Sequence, residues 1–91
     1  MAKYNPKSIY SVLFILIDEF SESDQKFVFE NLVTDKFLEN IKDNPKSAYS
    51  TLNDLVVNIE DGKTDKLSKI FEPYKDKIYM LKNMLKDYGN F

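Results

Sequence analysis

Residues 5–13 and 44–52 read NPKSIYSVL and NPKSAYSTL, identical at seven of nine positions and offset by 39 residues. The string opens with helix-start chemistry. Asn is a favoured N-cap, because its side-chain oxygen accepts an orphan backbone N–H. Pro suits the first helical position, where an N–H would have no partner in any case. Past the strings the match is one of character: Leu16 with Leu55, Ile17 with Val56, Phe20 with Ile59. A period of 39 residues is the length of a helix-turn-helix unit, and two such units are too few for a stacked solenoid. They suit a closed bundle in which two related helical hairpins pack their apolar faces together. Duplication, with units 5–43 and 44–82, explains the repeat better than coincidence.

Hydrophobic spacing carries the helices onward. Ile9, Tyr10, Val12, Leu13, Leu16, Ile17 and Phe20 form a wide apolar face, and Phe14 and Ile15 make that helix apolar nearly all round. A buried strand over 11–17 competes, since short apolar runs are ambiguous. The Asn-Pro start and the second copy favour helix. Residues 21–24 read as a turn before a second helix to about Lys42, with Phe29, Leu32, Val33, Phe37 and Ile41 inward. A third helix starts at Asn44-Pro45, shows the stripe Ala48, Tyr49, Leu52, Leu55, Val56 and Ile59, and stops at Asp61-Gly62.

Thr64 is the expected cap of the last stretch, whose stripe is Leu67, Ile70, Phe71, Tyr74, Ile78, Leu81, Leu85 and Tyr88. Pro73 lies inside it. Proline in a helix interior removes a hydrogen bond and clashes with the preceding turn, at about 3 kcal/mol. Either the helix kinks there or Glu72-Pro73 starts a fifth one. Residues 89–91 read as a frayed end. The expected fold is therefore one all-α domain over 1–91, a bundle of four helices, or five if Pro73 breaks the last.

Composition then narrows the function. A chain of 91 residues, 43% hydrophobic and 31% charged, has enough core to fold without staples. It has no cysteine, histidine or arginine; all thirteen basic residues are lysine. Disulfides and thiolate metal sites are thus excluded, as are bidentate guanidinium clamps on phosphate and the usual general base near neutral pH. The longest apolar run, residues 12–17, is far short of the roughly 20 residues of a membrane span. Acidic residues follow it where a leader would be cleaved, so a cytoplasmic location is expected.

No standard catalytic signature is present. Both glycines, Gly62 and Gly89, stand at turns rather than in a phosphate loop, and no serine has a histidine to activate it. A Ser-Lys dyad would need a buried lysine, which the periodicity does not offer. Asp18 and Glu22 sit at i, i+4, and residues 61–65 are too sparse in oxygen ligands for calcium. No enzyme activity, cofactor, metal or small-molecule substrate is expected.

Two kinds of surface remain. Lys7, Ser8 and Ser11, with their equivalents Lys46, Ser47 and Ser50, lie beside helix N-termini and are candidate anion contacts. Ordinary solvated first-turn residues would look the same. Tyr79, Met80, Met84 and Phe91 fall outside the main stripe of the last helix and rank first as a partner-binding surface. Charge is unevenly shared: residues 6–62 sum to −6, whereas residues 63–91, with seven lysines against four acids, sum to +3. The expected function is a non-enzymatic protein-binding module (a small inhibitor, immunity factor or adaptor) that binds another protein or a second copy of itself. A nucleic-acid-binding regulator using the lysines of the last helix is the alternative, disfavoured by the absence of arginine and the acidic balance.

Overall fold

In the computed structural model, which describes residues 4–91, the chain enters α1 (Pro6–Ile17) through a complete capping box. Asn5 Oδ1 accepts the Ser8 N–H at 2.9 Å, and Ser8 Oγ accepts the Asn5 N–H at 3.1 Å. Two orphan donors are satisfied at once, and Ile9, Leu13, Leu16 and Ile17 then turn into the core. The second copy of the string starts its helix differently. Asn44 ends α3 (Asp35–Asp43) by donating its N–H to Asn40 O at 2.8 Å, and the next residue, Pro45, already opens α4 (Pro45–Glu60). Its side chain makes no capping bond.

All regular structure among the described residues is helical, as the periodicity predicts. The segments are more numerous than expected. The helix predicted to run to Lys42 ends as α2 (Glu22–Asn31), and the chain turns through Leu32 and Val33 before Thr34 Oγ1 caps α3 by accepting the Phe37 N–H at 3.2 Å. The turn lets Leu32 and Val33 both reach the core and leaves Phe29 facing outward, 38% exposed. A single straight helix would not present all of them inward.

α4 stops as predicted. Gly62 takes a left-handed φ of 77°, its N–H bonds Ile59 O, and the Lys63 N–H reaches back to Asn58 O, a Schellman closure. Asp65, rather than Thr64, caps α5 (Lys66–Phe71): its carboxylate accepts the Ser68 N–H at 3.2 Å and the Ser68 hydroxyl at 2.8 Å. These bonds hold the Asp65 carboxyl below its ordinary range. Pro73 resolves as a 3₁₀ turn over Glu72–Tyr74, after which α6 (Lys75–Gly89) begins. The proline thus separates two helices whose buried residues, Phe71 before it and Ile78, Leu81 and Leu85 after it, enter one core.

Some of the helix contacts recur in equivalent positions of the two units, and others do not. α1 packs on α6 and α4 on α3; α1 packs on α3 and α4 on α6; α2 packs on α5; α4 also packs on α5. Exchanging α1, α2 and α3 with α4, α5 and α6 carries the first five pairs into one another. The paired positions Leu13/Leu52, Leu16/Leu55, Ile17/Val56 and Phe20/Ile59 are all buried. Among the described residues no helix is long and apolar enough to cross a membrane.

The repeated tyrosines are both held in place, Tyr10 by its hydroxyl and Tyr49 by its ring. Tyr10 donates its O–H to Leu38 O at 2.6 Å, tying α1 to α3. Tyr49 meets Phe91 edge-on, with ring centroids 5.3 Å apart. Residues 89–91 are accordingly not frayed. Asn90 adopts a left-handed φ of 56° and the Phe91 N–H bonds Lys86 O, which folds the last ring back. Gly89 permits the fold-back: a Cβ there would lie 2.5 Å from the Phe91 ring and 2.9 Å from Pro45 Cγ.

Candidate functional site

Six consecutive apolar residues, 12–17, cannot all face inward from a helix with 3.6 residues per turn. Leu13, Leu16 and Ile17 take the core, Val12 is half-buried, and Phe14 and Ile15 are left outside at 40% and 68% exposure. Phe14 rests against Phe29 of α2, ring centroids 6.2 Å apart. Ile15 stands on the other side, toward α6. The two helices run antiparallel: Phe20, just past the end of α1, meets Tyr74, just before α6, at 5.3 Å, and the Tyr4 N–H bonds Asp87 Oδ2 at 3.0 Å. Between them lies a groove of about 380 Å³ lined by Val12, Ile15, Leu16 and Met80, with Glu19 and Lys77 at its rim.

This face is a ridge of apolar side chains, Phe29, Phe14, Ile15 and Met80, crossing from α2 over α1 to α6. Its rim charges are opposite in sign, and neither Glu19 nor Lys77 makes an ion pair among the described residues. Chemically it offers burial, with two charges to fix register. Among the described residues no three acidic side chains gather to hold a metal. A second depression, of about 190 Å³ between α4 and α5, brings only Asp54 and Asp65 together.

The residues expected on the last helix divide. Met80 belongs to the groove, half-exposed at 38%. Met84, one turn further, is buried at 3% and forms no surface row with it. Tyr79 is exposed but engaged: its O–H donates to Glu60 Oε2 at 2.8 Å, and Lys75 approaches the same carboxylate at 3.8 Å. Phe91 folds onto Tyr49 and lies away from Met80's groove lining. The candidate surface therefore shifts from α6 alone to α1 and α6 together.

Three of the six candidate anion contacts, Ser8, Ser11 and Ser47, already hold hydrogen bonds within the protein. Ser8 completes the capping box, Ser11 Oγ donates to Lys7 O at 3.0 Å, and Ser47 Oγ accepts from Asn40 Nδ2 at 3.5 Å. Lys7, Lys46 and Ser50 are exposed. Of the seven C-terminal lysines, Lys66 lies over the Phe27 ring, Lys75 faces Glu60, and Lys82 is internal.

Lys82 departs from expectation. It is 7% exposed, donates to Asn53 Oδ1 at 2.8 Å, and sits 5.2 Å and 5.0 Å from the ring centroids of Tyr49 and Tyr79. A cation between two aromatic faces and an amide oxygen is a satisfied structural group.

Two phenols give the fold a signature at high pH. Burial raises Tyr10 above the usual value of 10, helped by the Asp43 charge and by Tyr88. The hydrogen bond to Glu60, then burial and the Glu60 charge, raise Tyr79. A raised folded value means the native state keeps its proton longer than the unfolded chain. The associated stability is complete below about pH 10 and is lost as pH climbs through the folded values. Tyrosinate absorbance of the native protein is therefore expected to lag that of the denatured chain above about pH 10, and Tyr10→Phe is expected to shorten the lag. Coincident titration curves would contradict the Tyr10 and Tyr79 contacts.

Fold and face together define a small helical bundle with one apolar groove between its first and last helices. The chain matches no protein-family model, no curated protein and no solved structure. What it does is therefore read from its own residues.

Sequence reasoning marked the all-round apolar character of α1 yet placed the surface on α6. It missed Phe14, Ile15, Phe29, Glu19 and Lys77 as members of one face. The available signal was the run itself: a helix hydrophobic all round must be covered on more than one side.

Proposed function

We propose that the protein is a non-enzymatic binding module that docks a helix of another polypeptide onto the α1–α6 face. The observation that supports this reading is Ile15, the most exposed of the large hydrophobic residues at 68%, standing at the lip of an apolar groove. Covering such a side chain is worth about 1.5–3 kcal/mol. Isolated exposed apolar residues are ordinary; a ridge of four with a groove between two helices has the form of a helix-binding surface. The apolar centre takes the contact energy, and Glu19 and Lys77 set orientation. A reducing, cytoplasmic setting suits a chain with no cysteine.

A photo-reactive side chain placed at residue 15, with one at the exposed Ser50 of α4 as control, tests the reading in living cells. Position 15 is expected to give a discrete protein adduct and position 50 none. No adduct, or equal labelling from both positions, would remove the proposal.

A further inference from the structure

We infer that the occupant of the α1–α6 groove is a second copy of the same chain, related by a twofold axis running along the groove. The inference rests on the docking reading above and adds the identity of the partner. Its basis is self-complementarity, which an isologous interface requires: whatever residue i touches on the partner must touch i in return.

The face meets that requirement with apolar side chains on both lips, Ile15 on α1 and Met80 on α6, flanking one groove. An axis along the groove lays α1 of each copy over α6 of the other and keeps every residue at its own height. Because α1 and α6 are antiparallel, register decides which residues then meet. The pairs Phe20 with Tyr74 and Tyr4 with Asp87 fix that register. Counting inward along both helices from Phe20 and Tyr74, Glu19 falls within a turn of Lys77, and Ile15 within a turn of Met80. Across the twofold axis, Ile15 of one copy therefore faces Met80 of the other. Glu19 likewise faces Lys77.

Charge agrees with shape. Each copy brings one acidic lip and one basic lip, neither in an ion pair among the described residues. The axis crosses them so that both charges are matched twice. The net charge of −2 per chain leaves little repulsion between copies.

The test is sedimentation of the purified full chain over a range of concentrations, with charge-reversed variants. Wild type is expected to show a monomer–dimer equilibrium. Ile15→Lys, at an exposed position that leaves the core intact, is expected to weaken it roughly 30-fold, the loss of a central apolar contact. Glu19→Lys and Lys77→Glu are each expected to weaken dimerisation about tenfold, because each sets like charges together across the axis. Mixed in equal amounts, these two variants are expected to recover dimer. The Glu19→Lys chain has two basic lips and the Lys77→Glu chain two acidic ones, so they complement each other at both. Circular dichroism confirms that each variant is folded.

A wild-type chain that stays monomeric to about 1 mM would overturn the inference. So would Glu19→Lys and Lys77→Glu variants that dimerise as well alone as mixed. The docking reading fails separately: a photo-adduct from position 15 containing a different protein retains it while ending the homodimer, and no adduct at all ends both.

Discussion

Phe71→Ala is expected to lower stability by about 3–5 kcal/mol, the range for truncating a buried Phe. The ring is fully buried and meets Phe20 edge-on with centroids 5.2 Å apart. Its position makes the loss worse. α5 has six residues, too few to persist without tertiary anchoring, and Phe71 is its last. The cavity would open at the joint where α5 hands over to the Pro73 turn. A domain of this size has roughly 5–14 kcal/mol in total, so the substitution consumes a large part of it. The melting temperature is expected to fall by at least about 12 °C, followed by circular dichroism on heating. Phe29→Ala is the matched control, because Phe29 lies on the outer face of α2, 38% exposed; its effect is expected to stay below about 1 kcal/mol. Equal losses from the two variants would mean that α5 is not docked as described.

The second large effect concerns Lys82. Lys82→Ala is expected to cost about 2–4 kcal/mol, from a lost stem, a lost donor to Asn53 and two lost aromatic contacts. Lys82→Met keeps most of the stem and removes the charge. Burying a cation carries its own desolvation cost, and replacing buried ions with well-packed apolar groups is often close to neutral. The Met variant is therefore expected to lie within about 1.5 kcal/mol of wild type. Urea unfolding of the three proteins measures the order. If Met and Ala prove equally damaging, the charge and not the packing holds this site.

These residues show where sequence reading succeeds and where it stops. Helix starts at Asn5-Pro6 and Asn44-Pro45, the stop at Asp61-Gly62 and every member of the last apolar stripe were legible, because caps and 3.6-residue periodicity are local properties. The break before α3 was hidden because Thr34 is a one-residue signal within a pattern that reads on as helix. Lys82 and Met84 exchanged roles with expectation for a different reason. Both flank the stripe of α6, and whether a flank is covered depends on what α4 and its neighbours place beside it. Tyr49 and Asn53 lie far away in sequence, so spacing within α6 cannot express their presence. The groove was half legible. The apolar run in α1 is too long for one buried face, but only the packed fold shows that Phe14 and Ile15 are the two left outside and that Met80 joins them.

Asn44 belongs to α3 and α4 at once, and Pro45 follows it without a spacer. Were those helices to merge into one straight rod, the first half of the chain could swing away and pack against the second half of another molecule. Pro45 prevents the merger. Its ring would collide with the carbonyl of Ile41, and it holds Asn44 out of the helical region, at φ −148° and ψ 68°. The corner is therefore a lock against trading halves between molecules.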